Sequence, residues 1–109
     1  MKTVATRFAP SPTGPLHIGG VRTALFNWLY SKNKGGKFYL RIEDTDKERS
    51  KDEFKKQIIN SLKWIGINYE DSEYIQSDKI NDHINVANEL LKKGLAYKCY
   101  CSSEEIEEQ

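Results

Sequence analysis

Three prolines fall within six residues, at positions 10, 12 and 15, and the chain has no others. Each fixes φ and removes a backbone donor, and each pushes its predecessor toward extended geometry. The stretch Pro10-Ser11-Pro12-Thr13-Gly14-Pro15 is therefore stiff, extended, and unable to continue either a helix or a ladder. It sits between two opposite patterns. Residues 3–9 are short and rich in β formers, which predicts a strand. Residues 18–33 place Val21, Ala24, Leu25, Trp28 and Leu29 at helical spacing, which predicts a helix. The start of that helix offers unpaired N–H groups and a partial positive charge, a setting that suits phosphate. His17, standing just before it, can donate to a phosphoryl oxygen. Gly14, Gly19 and Gly20 leave room for another molecule to approach. A bland strand–turn–helix connection would not need so constrained a loop, so the residues favour a ligand site.

Gly35 and Gly36 stop the first helix, and residues 37–43 read as a second strand. A strand, a helix of about four turns and a strand make a βαβ unit with parallel pairing. Ligands gather at the carboxyl ends of strands in such sheets. Arg7, Ala9 and Ser11 lie at one such end, and Glu43, Asp44 and Asp46 at the other. Charge agrees with this. Residues 1–42 carry seven Lys or Arg and no acid, whereas residue 43 onward sums to −6, within a chain of net charge +1. A first segment bearing only positive charge fits a surface that meets phosphate or nucleic acid.

Farther along, Ser50 and Glu53 have capping-box spacing, and the helix they would open has an apolar face of Phe54, Ile58, Leu62 and Ile65, ended by Gly66. Residues 66–76 read as a polar loop. A third helix starts at Ser77 or Asp78 with a face of Ile80, Ile84, Ala87 and Leu91, closed by Gly94; all these faces are expected to be core. His83 reads as a solvated helix residue. Residues 95–101 look strand-like, and Ser102 or Ser103 can cap a last helix. The 109 residues fit one modest domain. No apolar run is long enough for a membrane span and the N-terminus has no secretory pattern, so a cytoplasmic location is expected.

Cys99 and Cys101 are the only cysteines. On a strand they would share a face and could hold one metal ion, but zinc wants four ligands, and neither His17 nor His83 gives a spacing that completes the set. Two reduced thiols are the plain alternative.

The run Arg7-Phe8-Ala9-Pro10-Ser11-Pro12-Thr13-Gly14-Pro15-Leu16-His17-Ile18-Gly19-Gly20, with Arg22-Thr23-Ala24-Leu25-Phe26-Asn27-Trp28 and Arg41-Ile42-Glu43-Asp44-Thr45-Asp46, closely resembles the N-terminus of bacterial glutamyl-tRNA synthetases. His17-Ile18-Gly19-Gly20 matches the class I HIGH motif with Gly in the last place. The resemblance implies an α/β, Rossmann-type catalytic domain, here incomplete: residues 1–94 as its first part and 95–109 as the start of an acceptor-binding, zinc-containing insertion. It implies ATP-dependent ligation of L-glutamate to tRNA(Glu) through glutamyl-adenylate, with Mg²⁺ on the phosphates, in a monomer. By the same resemblance Arg7, Ala9, Ser11 and Glu43 would bind glutamate. His17 would be catalytic, and with Thr13, Gly19 and Gly20 would hold ATP. Asp44 and Thr45 would meet the tRNA 3′ end. Cys99 and Cys101 would be half of a Zn²⁺ site.

The second class I motif, KMSKS-like, is missing from this sequence, so an N-terminal fragment with little or no charging activity of its own is expected. The nearest alternative is the paralogue that glutamylates queuosine in tRNA(Asp). A non-catalytic nucleotide- or RNA-binding module that keeps the βαβ unit is the alternative of another class.

Overall fold

The computed structural model describes residues 2–108. They form two compact units, divided between Asp78 and Lys79. The first unit holds strand β1 (Ala5–Phe8), helix α1 (Ile18–Asn33), strand β2 (Lys37–Ile42), helix α2 (Asp52–Ile65) and the two-residue strand β3 (Tyr74–Ile75). The second holds helix α3 (Ile80–Lys92) and the short helix α4 (Ser103–Glu107). A 3-10 turn, Gln76–Lys79, leads from β3 to α3.

The sheet of the first unit is parallel, in the order β1-β2-β3. Thr6 pairs with Phe38, Arg7 with Tyr39, and Phe8 with Leu40. Side chains alternate along a strand, so Phe8, Phe38, Leu40 and Ile42 share one face. All four are buried, together with Ala24 of α1, Ile58 and Leu62 of α2, and Ile67. Both crossover helices therefore cover the same side of the sheet. The expected α/β class and parallel βαβ unit are found, and α1 has the expected bounds.

Tight contacts fix the crossover. The Thr6 hydroxyl donates to the Asn27 carbonyl on α1 (2.8 Å). At the return from α1, Lys37 N–H donates to the Val4 carbonyl (2.9 Å). Gly36 lies against that same carbonyl, and a methyl group added to it would land on the Val4 oxygen. Here it is close backbone approach that demands glycine.

Several expectations need correction. Ser50 and Glu53 form no capping box: the N-cap of α2 is Lys51, with no side-chain cap bond. The cause lies upstream. Ser50 N–H donates to the Asp46 carbonyl and Lys51 N–H to that of Pro12, which holds Ser50 in the preceding turn and starts the helix one residue later. Ile65, expected in the core, is 38% exposed. Gly66, at φ +91°, turns the chain back so that Ile67 takes the buried place instead, its N–H reaching the Leu62 carbonyl. The loop at 66–76 contains β3, too short to carry a periodic signal. Residues 95–101 form no strand. Among the described residues of their unit there is no neighbouring strand to satisfy a ladder. The apolar face of α3 is exposed: Ile80 at 44% and Ile84 at 51%, with Ala87 and Leu91 also open. One helix and a five-residue partner offer no second layer to bury it. The α4 cap is as expected, with Ser102 and Glu105 forming a capping box, and His83 is exposed.

The loop before β3 is braced by two bonds. Glu70 N–H donates to the Phe38 carbonyl (2.7 Å), and the Tyr69 hydroxyl to Glu73 Oε2 (2.9 Å). Burial, and then the bond to Glu73 and its charge, push the Tyr69 phenol up to about 12.

Two predictions follow from this packing. Gly36→Ala is expected to destabilise the first unit by about 1–3 kcal/mol, as overpacking against fixed backbone does, read as a lower urea midpoint. The raised Tyr69 pKa stabilises the fold fully below the unfolded value near 10 and stops doing so as pH climbs through about 12. The stability advantage of the unsubstituted chain over Tyr69→Phe should therefore shrink across that window and be constant below it, as measured by urea unfolding at a series of pH values.

Candidate functional site

The proline loop is tied down at three points, one just past β2 and two on α2. The Pro10 carbonyl accepts from Glu43 N–H (2.9 Å), just past the end of β2. The Pro12 carbonyl accepts from Lys51 N–H (3.1 Å) at the start of α2. Leu16 N–H donates to Gln57 Oε1 (2.7 Å) on α2, whose amide donates in turn to the Ser61 hydroxyl. Pro12 itself is buried. Prolines lack N–H but keep the carbonyl, and here the carbonyls do the fastening.

At the loop's end His17 is the N-cap of α1. Its Nδ1 accepts from Gly19 N–H (3.1 Å) and Gly20 N–H (3.4 Å). An accepting Nδ1 bears no proton, so the neutral ring carries its proton on Nε2, as a donor facing outward. Those two N–H groups, expected to meet a nucleotide, are engaged by the imidazole. A cleft of about 320 Å³ runs beside them, lined by Ser11, Thr13, Gly14, His17 and Gly20 over a floor of Phe8 and Ile58. A side chain at Gly20 would collide with Leu16 at its edge.

Arg7 and Glu43 lie outside that cleft, on the other face of the sheet. Arg7 pairs in register with Tyr39, so the two point the same way. Arg41 and Glu43 follow at two-residue steps. Arg41 donates to Glu43 Oε1 from Nη2 (2.6 Å) and Nε (3.2 Å), which shows that the two share a face. No helix of the first unit covers this side. Arg7 is exposed, and among the described residues no acid pairs with it. Along β2 its level is separated from Glu43 by four residues, about 13 Å at strand rise. Ala9, just past the end of β1, is half-buried, and Ser11 is exposed.

Asp44 is committed elsewhere. Its Oδ1 accepts from Ser77 N–H (2.9 Å) and its Oδ2 from the Ser77 hydroxyl (2.6 Å), clasping the chain that leaves β3. Thr45 is exposed. Asp46 closes a turn, accepting from Arg49 N–H (3.3 Å). Beside Asp44 opens a second hollow of about 210 Å³, whose walls include Lys47, Lys51 and Lys55. No role was expected of these lysines, nor of Arg41. Only alternation along β2, with Arg41 two residues before Glu43, would have flagged the latter.

In the second unit Cys99 and Cys101 are exposed and unoxidised. The Cys101 backbone N–H, and then its side chain, hold the Cys99 thiol below its ordinary value, while the Cys101 thiol is pushed up by its bond to Cys99. The pair would furnish two thiolates to a metal. Among the described residues no group of three or more His, Cys, Asp or Glu could hold one. The residues present therefore do not amount to a zinc site. Among the described residues, no helix is long and apolar enough to cross a membrane.

Comparison with known proteins shows the family. Residues 3–109 match the family described as "tRNA synthetases class I (E and Q), catalytic domain". The chain is 83% identical over 109 residues to a glutamate–tRNA ligase of Pelagibacter ubique, covering all of this chain and 23% of that protein. It is 54% identical over 108 residues to glutamate–tRNA ligase 2 of Thermoanaerobacter pseudethanolicus, covering 99% of this chain and 22% of the relative. The crystal structure of a glutamate tRNA ligase from Elizabethkingia meningosepticum, in complex with its amino acid, superposes with a TM-score of 0.84 at 40% identity, over 98% of this chain and 23% of that one. The chain thus spans about a quarter of the length of these relatives. With its parallel sheet, its proline-braced loop and its imidazole-capped helix, it belongs to the family of class I tRNA synthetases for glutamate and glutamine, within their catalytic domain.

Proposed function

We propose that the chain is the N-terminal part of a glutamate–tRNA ligase and supplies half of its substrate site. The observation that carries this is the placement of Arg7 and Glu43 on one uncovered face, toward the carboxyl ends of adjacent parallel strands. A cation and an anion so placed match the carboxylate and ammonium of an amino acid. The relatives' names support glutamate.

In the reaction, a glutamate α-carboxylate oxygen attacks the α-phosphorus of ATP and displaces pyrophosphate. A terminal ribose hydroxyl of tRNA(Glu) then attacks the activated carbonyl and releases AMP. No enzyme nucleophile is required; positioning and charge stabilisation carry the rate. Arg7 would hold a substrate carboxylate and Glu43 the ammonium, with Ala9 and Ser11 lining the pocket. The Nε2 proton of His17 would be donated to a phosphate oxygen, and Thr13 with the Gly19-Gly20 backbone would border the nucleotide. Mg²⁺ on the phosphates would offset their charge. Thr45 remains available to the tRNA 3′ end, whereas the Asp44 carboxylate would reach it only by giving up Ser77. Residues 95–109 would begin the acceptor-binding insertion, and the whole protein would act as a monomer. The paralogue that modifies queuosine is less well supported, because the similar proteins named above are all ligases.

Titration of the isotope-labelled chain with a non-hydrolysable glutamyl-adenylate analogue tests the proposal. Amide shifts are expected in residues 7–20 and 41–46; an undisturbed spectrum there would sink it. Charging of tRNA by residues 1–109 alone should be negligible. His17→Ala removes the acceptor for two N–H groups and should cost about 0.5–2 kcal/mol of stability, as lost N-caps do. His17→Asn restores a capping oxygen but not the outward donor. It should therefore recover the urea midpoint while still binding the analogue weakly.

A further inference from the structure

The Arg41–Glu43 contact has a shape that a surface ion pair does not require. Both guanidinium donors, Nε and Nη2, converge on one carboxylate oxygen, Oε1. Oε2 accepts no hydrogen bond from the described residues. Both side chains are about one-third exposed on the uncovered face. The backbone beneath is fixed at the same point, because Glu43 N–H is bonded to the Pro10 carbonyl. Glu43 lies one residue past the end of β2, where no neighbouring strand orders it. Left alone, its side chain would sample several rotamers, and ordering it on binding would cost entropy.

We infer that Arg41 is a positioning residue: it holds Glu43 by one oxygen so that the other is presented, already oriented, to the ammonium group of the amino-acid substrate. The inference rests on the reading of Glu43 as the ammonium site and adds a partner that this reading does not contain. The charges are compatible with it: Arg7 and Arg41 offer two cations and Glu43 one anion to a ligand with two carboxylates and one ammonium, while Lys37, on the same face of β2, lies six residues from Glu43. The fork matters as much as the charge, since a lysine in its place is a point donor that cannot offer two N–H groups in a fixed plane.

The test compares L-glutamate with glutarate, the same dicarboxylate without the amine, each titrated into the labelled chain and into Arg41→Lys, Glu43→Gln and the double variant. The unsubstituted chain should prefer glutamate. Arg41→Lys, which keeps the charge, should weaken glutamate about tenfold, the loss typical of one charge-assisted contact, and glutarate by less than about twofold. In the Glu43→Gln background Arg41→Lys should change neither. Arg41 alternates with the buried Leu40 and Ile42 and so points away from the core, and the amide fingerprint should remain that of the folded chain in each variant. An unchanged glutamate affinity in Arg41→Lys, equal losses for both ligands, or the same loss with Glu43 already replaced would each overturn the positioning role. If the unsubstituted chain fails to prefer glutamate over glutarate, the ammonium reading of Glu43 falls first and takes this inference with it.

Discussion

The hydrogen bond from Glu43 N–H to the Pro10 carbonyl joins the two stretches of the candidate site. It links the exits of β1 and β2 where the ladder between them has already ended. Without it the chain after Phe8 and the chain after Ile42 would diverge as independent loops. Proline makes the link possible. Its fixed φ keeps the loop extended, and its carbonyl is left without a competing intraloop partner. The bond from Lys51 N–H to the Pro12 carbonyl repeats the device on α2, which sets where that helix begins. The loop is thus the fastening between sheet and second helix, and the imidazole at its end inherits that rigidity.

The first unit was largely legible in its residues because each signal was strong and local. Sixteen residues of helical spacing, bounded by a proline loop and a glycine pair, allow little else. That Arg7 and Glu43 lie toward the carboxyl ends of neighbouring parallel strands was legible from the βαβ pattern; which face they take was not read there. What escaped were features set by competition between tertiary bonds. Ser50 has ideal capping spacing, yet its backbone is claimed by Asp46 and its neighbour's by Pro12, so the helix begins elsewhere. Asp44 looked like a substrate-facing acid and is instead a clasp for Ser77, thirty-three residues away. No spacing rule links two such positions.

The second unit shows the limit from the other side. The periodicity of α3 was read correctly as amphipathic, and the helix forms. Its apolar face nevertheless stays open, because burial is a property of what lies opposite and not of the helix. The stretch containing Cys99 and Cys101 has strand-like composition but, among the described residues of its unit, no strand beside it, and it stays irregular. Composition there described a capacity that only a partner strand could realise.

Because both crossover helices lie on one side of the sheet, β2 serves two masters along a single six-residue run. Phe38, Leu40 and Ile42 are locked into the core, while Tyr39, Arg41 and the adjoining Glu43 answer only to whatever occupies the opposite side. Changes at the odd-numbered positions therefore leave the hydrophobic packing untouched. The polar side chains there can vary without any renegotiation of the fold.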